Sequence, residues 1–157
     1  MDPASYLKTY PEGKLLLQKL NELEEICFPF PYREDQLHSL LTIAKAICLF
    51  INKQGQITES YEQPCGYVLY IPLDDGIEIL RIGILPEYRR KHLAWSFLQY
   101  LANTLSPGDR ILLEVSSLNT AAMELYRKAG FQVLRKRASY YQDGSDALIL
   151  EKKLLPN

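Results

Sequence analysis

Cysteine is scarce in this chain of 157 residues: Cys27, Cys48 and Cys65 are odd in number, widely spaced and set among apolar neighbours. They form none of the close pairs used by zinc sites and redox dithiols, so they read as small buried thiols rather than ligands. Neither sign of charge dominates, with 18 Lys and Arg against 19 Asp and Glu and a net charge of −1. That balance argues against a nucleic-acid partner gripped by the whole protein, while leaving room for a local basic patch. No apolar run is long enough to cross a bilayer, and the opening MDPASYLKTYPEGK lacks the apolar core of a signal peptide. A cytoplasmic protein with no membrane partner is therefore expected. Internal repeats, low-complexity stretches and interdomain linkers are missing, as are a metal-binding cluster, a nucleophile elbow and a dinucleotide glycine fingerprint, so no metal is expected. His38 has no partner pattern, and the acidic pair Glu24-Glu25 reads as a solvated helix face.

What is present is an ordinary globular composition, 47% hydrophobic and 24% charged, at a length that suits one domain over residues 1–157. Over residues 12–27, Leu15, Leu16, Leu20, Leu23 and Ile26 recur at near-helical spacing. Pro29 and Pro31 should end that helix, since each lacks an N–H and disfavours helical geometry in the residue before it. A second helix is expected over 34–43. Apolar runs at 46–51, 66–71 and 77–85, separated by a polar stretch and by the turn Asp74-Asp75-Gly76, predict an antiparallel meander. From Pro86 the pattern changes, and Leu93, Phe97, Leu98 and Leu101 recur at helical spacing. A strand at 111–115, a helix at 119–129 closed by Gly130, and strands at 131–140 and 147–154 joined through Asp143-Gly144 complete the order. The strand-helix-strand run through 77–115 is a βαβ unit inside an α/β fold with a mixed sheet.

Two segments carry chemistry. The first is the junction Ile82-Gly83-Ile84-Leu85-Pro86-Glu87-Tyr88-Arg89-Arg90-Lys91-His92-Leu93-Ala94. A helix start has unpaired N–H groups and the positive end of the helix dipole, which suit a phosphate or pyrophosphate. Arg89, Arg90 and Lys91 add charge there; a solvated basic turn is the other reading these residues allow. The second segment is Leu113-Glu114-Val115, followed by Asn119-Thr120-Ala121-Ala122-Met123-Glu124-Leu125-Tyr126 and then Gly130-Phe131. Taken singly, Glu114 could be an outward carboxylate at a strand end, Tyr126 a half-buried helix residue and Asn119 a helix N-cap.

Together these segments resemble the GNAT acetyltransferases. Their acyl-coenzyme A loop runs Arg or Gln, two variable residues, Gly, any residue, then Gly or Ala. Arg89, Leu93 and Ala94 follow that pattern, and His92 stands at the first glycine, where histidine is among the residues enriched at positive φ. The N-A-A-x-x-L-Y-x-x-x-G-F pattern of the family is similar to residues 119–131. Among these enzymes the chain is most similar to the bacterial ribosomal-protein-alanine N-acetyltransferases, whose R-x-x-Y-Y and D-G elements correspond to Arg137, Tyr140 and Tyr141 and to Asp143-Gly144. Phe28-Pro29 after a Glu-bearing helix also fits, and the likeness spans about residues 20–154. Ser116 departs from the arginine those enzymes often carry, and the segment after Tyr141 is shorter and lacks their proline.

The resemblance implies the GNAT acyl-CoA N-acyltransferase fold and acetyl-CoA as co-substrate. It implies a cofactor site at Ile82, Gly83, Ile84, Arg89, Arg90, Lys91, His92, Leu93, Ala94 and Asn119, with Glu114 as base and Tyr126 as acid. The chemistry asks for both. An α-amine with a reference pKa of about 8 must lose a proton before it attacks a thioester, and a departing thiolate of reference pKa about 8.5 gains from a donor. The backbone of 82–84 would supply the oxyanion donor. Phe28, Tyr32, Arg137, Tyr140 and Tyr141 would bind the acceptor, a protein N-terminus of which ribosomal protein bS18 with its alanine is the implied example. If Tyr140 and Tyr141 lie in a strand they face opposite sides, one of them toward the groove. Two other readings keep the fold: acetylation of a small-molecule amine or lysine, and a non-catalytic acyl-CoA-binding module.

Overall fold

The structure is a computed structural model that describes residues 7–8, 13–50 and 64–156. In chain order the elements are β1 (Leu7–Lys8), α1 (Lys14–Cys27), α2 (Glu34–Leu40), β2 (Lys45–Leu49), β3 (Gly66–Leu73), β4 (Gly76–Ile84), α3 (Leu93–Thr104), β5 (Arg110–Ser116), α4 (Thr120–Lys128), β6 (Gln132–Arg137) and β7 (Ala147–Lys153). A 3₁₀ turn, Pro86–Tyr88, joins β4 to the loop before α3. The expected start of α1 at Glu12 and end of β2 at Ile51 lie outside the described residues.

One seven-stranded sheet, ordered β1-β2-β3-β4-β5-β7-β6, organises the molecule. Neighbours are antiparallel except β4 and β5, the two strands on either side of α3. This is the mixed, mostly antiparallel sheet with a βαβ unit that the sequence predicts. Side chains alternate across the sheet, so neighbours in one strand serve different cores. Val68 and Ile79 join Phe97, Leu101, Ile111 and Leu113 beneath α3, whereas Tyr67 and Leu69 join Leu20, Leu23 and Leu37 beneath α1 and α2. The helix periodicities are thus explained by the faces they bury.

Three expectations are corrected. Helix α2 stops at Leu40 rather than at residue 43, because the next residues close a turn in which the Thr42 hydroxyl donates to the Ser39 carbonyl (2.7 Å). Strand β6 stops at Arg137 rather than at residue 140, and Ser139 takes positive φ (48°). Tyr140 and Tyr141 therefore sit in a loop, and strand alternation does not govern which way they face. The pair Glu24-Glu25 is not a solvated face: Glu24 is fully buried (0% exposed), on the same side of α1 as Leu20 and Leu23. The two-residue β1 at the sheet edge was not anticipated. Cys48 and Cys65 are buried and Cys27 is half-buried, and the Cys65 thiol donates to the Leu49 carbonyl (3.2 Å).

Candidate active site

Strands β4 and β5 stay together only briefly. Residues 76–79 of β4 pair with 110–113 of β5, and beyond Ile79 and Leu113 the ladder ends. A β-bulge contributes to the divergence: opposite Leu69 and Tyr70 of β3 stand Arg81 and Ile79, so Leu80 is the extra residue. From there β4 continues along β3, while residues 114–116 of β5 continue along β7. The sheet is left with a V-shaped opening in which one edge of β4, residues 80–84, has no strand partner among the described residues. A cavity of about 540 Å³ occupies this opening and is lined from both sides, by Arg81 and Ile82 of β4 and by Glu114, Asn119, Tyr126 and Tyr141. Phe28, Phe30 and Tyr32 close it from the α1–α2 loop. Gly83 is required by packing, since a Cβ there would lie 2.6 Å from the Tyr67 ring.

A second hollow of about 430 Å³ lies at the start of α3, lined by Ile84, Tyr88, Arg89, Arg90, His92, Leu93 and Ala94, with Lys128 from α4. The helix begins here because the chain reverses twice: Arg90 (φ 62°) and His92 (φ 58°) both take the left-handed conformation. His92 is the N-cap and contributes its carbonyl, not its ring, accepting from the Ser96 N–H and hydroxyl (both 3.1 Å). Ser96 is the first α3 amide bonded back along the helix, so those of Leu93, Ala94 and Trp95 have no intrahelical acceptor. Such a start suits a pyrophosphate. The three cations differ in what they do. Lys91 lies over the Tyr88 ring (5.6 Å); Arg89 and Arg90 are both exposed, but the Arg89 guanidinium donates to the carbonyls of Ile84 (3.0 Å) and Cys27 (3.4 Å). Arg89 thereby ties the end of β4 to the end of α1.

Glu114 and Tyr126 line the same cavity from strand and helix. The Glu114 carboxylate accepts from the Tyr141 hydroxyl (3.1 Å) and lies 3.6 Å from the Arg137 guanidinium. Burial, then the charge of Glu114, pushes the Tyr141 phenol up to about 12. Tyr126 packs edge-on against Phe131 at 5.6 Å, and burial alone raises its phenol to about 12. Among the described residues its hydroxyl has no hydrogen-bond partner. Asn119 caps α4, its side chain accepting from the Ala122 N–H (3.2 Å), so the N-cap reading is realised at the edge of the cleft.

The far wall is the β6–β7 loop. Tyr140 is 52% exposed and meets Tyr141 edge-on at 5.2 Å, and the Arg137 guanidinium lies 5.4 Å from the Tyr140 ring. Ser116 has found a use: its hydroxyl meets that of Ser145 (2.9 Å) and accepts from the Leu118 N–H (3.2 Å). Asp146 accepts from the Ser139 N–H (2.9 Å). The α1–α2 loop is fastened by residues the sequence did not single out. Glu24 accepts from the Tyr32 N–H (2.7 Å) and the Tyr67 hydroxyl and pairs with Arg81 (3.4 Å). Only the unusual Glu at a helix position in phase with Leu20 could have disclosed it.

Comparison with known proteins agrees with this geometry. Residues 17–131 match the Acetyltransferase (GNAT) family. A Bacillus subtilis (strain 168) protein provisionally named [ribosomal protein bS18]-alanine N-acetyltransferase is 36% identical over 133 residues, 82% of this chain and 83% of its own. N-alpha-acetyltransferase 50 of Danio rerio is 24% identical over 88% of this chain and 83% of its own. In fold, the chain resembles the ribosomal-protein-S18-alanine N-acetyltransferase of Escherichia coli, with a TM-score of 0.76 and 21% identity, covering 96% of this chain and 94% of that one. With the split between β4 and β5, the capped start of α3 and the family match over residues 17–131, the chain belongs to the GNAT family of acetyltransferases.

Proposed function

We propose that this protein transfers acetyl from acetyl-CoA to the α-amine of a protein N-terminus by direct attack, both substrates being bound together. The observation that carries the reading is one cavity bounded by Glu114, Tyr126, the open edge of β4 and aromatic walls from two loops. The hollow at the start of α3 suits the pyrophosphate, with Arg90 and Lys91 supplying charge and the amides of residues 93–95 supplying donors. Asn119 borders the cofactor path. Bound there, acetyl-CoA supplies the activated acetyl group.

Glu114 takes the proton from the incoming ammonium, directly or through a water. The approaching cation competes with Arg137 for that carboxylate. Backbone N–H groups of 82–84 on the unpartnered edge of β4 stabilise the oxygen charge that builds during attack. Tyr126 returns a proton to the departing sulfur; burial keeps that proton in place throughout the neutral range. Phe28, Tyr32, Tyr140 and Tyr141 wall a narrow groove for an extended terminus with a small first residue. An alanine-led terminus like that of ribosomal protein bS18 fits this reading, which is supported by the names of the similar proteins. A cytoplasmic site of action and one catalytic domain belong to the same proposal. Free thiol release should be followed with acetyl-CoA plus alanine-led peptides, polyamines or no acceptor. Release with peptides alone is expected; release only with polyamines would overturn the acceptor assignment, and none with any amine would favour a binding module.

A further inference from the structure

Glu24 is a fully buried carboxylate to which the catalytic scheme assigns no task, and its counterion Arg81 projects from the bulged stretch of β4 into the acceptor side of the cavity. A buried ion pair is a poor device for stability alone, because desolvation offsets most of the attraction. Its partners indicate another use. Arg81 reaches Glu24 with one terminal nitrogen and donates to the Phe30 carbonyl (3.0 Å) with the other. Its guanidinium also lies against two rings, 4.2 Å from the centroid of Phe28 and 4.1 Å from that of Tyr32. A planar cation between two aromatic faces, with both ends hydrogen-bonded, fixes ring positions as well as charge. Glu24 holds the same loop from below through the Tyr32 N–H, and the Tyr67 hydroxyl fixes the carboxylate from β3. Every polar contact of the pair therefore ends on residues 30–32 or on the strand that anchors them.

We infer that Arg81 is a positioning residue for the acceptor: clamped by Glu24, it sets the Phe28–Tyr32 wall in the shape that admits a small first residue and refuses a bulky one. This deepens the proposed N-terminal acetylation and rests on it for the identity of the acceptor. The clamp lies on the acceptor side, so cofactor binding at the start of α3 should be indifferent to it.

The test uses Arg81→Met and the paired Glu24→Gln/Arg81→Met. The single change strands a buried carboxylate and can cost folding; the paired change removes both charges and keeps the fold, which circular dichroism checks. In the paired variant, KM for an alanine-led peptide should rise about tenfold, while the calorimetric Kd for acetyl-CoA stays within about twofold of native. Discrimination between alanine-led and leucine-led peptides should shrink by about the same factor. Amide hydrogen exchange at Tyr32 should accelerate. Native KM, native discrimination and a protected Tyr32 amide in a folded paired variant would overturn the inference, as would an equal loss of acetyl-CoA affinity. Should the native protein acetylate only polyamines, the N-terminal reading falls. The KM for the reacting amine and exchange at Tyr32 then still decide whether Arg81 shapes the wall.

Discussion

Replacing His92 by glycine isolates the one place where residues 89–94 depart from the family's acyl-CoA loop pattern. His92 holds φ 58° and ψ 23° at the start of α3, and its side chain makes no capping hydrogen bond. The left-handed conformation costs a residue with a Cβ about 1–2 kcal/mol, toward the low end for histidine, which visits it more readily than most. Glycine escapes that cost but loses about 0.5–1 kcal/mol more backbone entropy on folding. The carbonyl that accepts from Ser96 survives the change. His92→Gly should therefore stabilise the fold by up to about 0.5 kcal/mol, the difference of those two terms. In a chain of this size that amounts to a rise of at most roughly 1–2 °C in Tm. A β-branched residue tolerates the conformation worst, so His92→Val should lower Tm instead. Thermal unfolding reads both variants, and calorimetry with acetyl-CoA reads the loop; affinity should be equal to native or better with glycine. A fall in Tm for His92→Gly, or about a tenfold loss of affinity, would show that the imidazole itself makes contacts and would refute the backbone account.

Four further outcomes are expected. Arg90→Ala should weaken acetyl-CoA binding most at low salt, where exposed charge is least screened, whereas Arg89→Ala should lower Tm by loosening α1 from β4, with a smaller change in Kd. Glu114→Gln should cut turnover about a hundredfold near neutral pH, and by less above the amine pKa of about 8, as a pH–rate profile will show. Tyr126→Phe should reduce kcat by at least about tenfold while the Kd for acetyl-CoA stays near native; near-native turnover in both this variant and Glu114→Gln would end the acid–base assignment. The Tyr126 phenol, raised by burial from 10.0 to about 12, favours the folded state while it is neutral. That contribution is whole below pH 10 and is lost as pH rises toward about 12, which stability measurements with and without Tyr126→Phe will resolve.

Residues 113–131 were legible in the sequence because strand, N-cap, helix and closing glycine are local signals, and Asn119, Tyr126 and Glu114 arrive in one cavity as a result. The helix start at Leu93 was legible for the same reason. What stayed hidden depends on pairing between distant strands. The insertion of β7 between β5 and β6 and the bulge at Leu80 create the opening, and neither leaves a periodicity in one segment. Arg89 read as a phosphate ligand by motif position, yet its guanidinium serves carbonyls at residues 27 and 84, the first of them 62 positions away in the chain. Glu24 read as solvated by its charge, although its phase with Leu20 and Leu23 placed it inward. Its counterion comes from β4, beyond the reach of any helical pattern.

The central claim is that acetyl passes from acetyl-CoA to a free protein N-terminus in the cleft between β4 and β5. Matched peptides that differ only in carrying a free alanine terminus, or a blocked terminus with an internal lysine, test it by mass shift and site-localised fragmentation. At neutral pH the lysine ammonium, with a reference pKa of about 10.4, is harder to deprotonate than the α-amine by more than two units, close to 3 kcal/mol. Acetyl on the free terminus, absent from the blocked peptide and lost in Glu114→Gln, is the result the account predicts. Acetyl confined to lysine, or present on polyamines and on no free terminus, would contradict it.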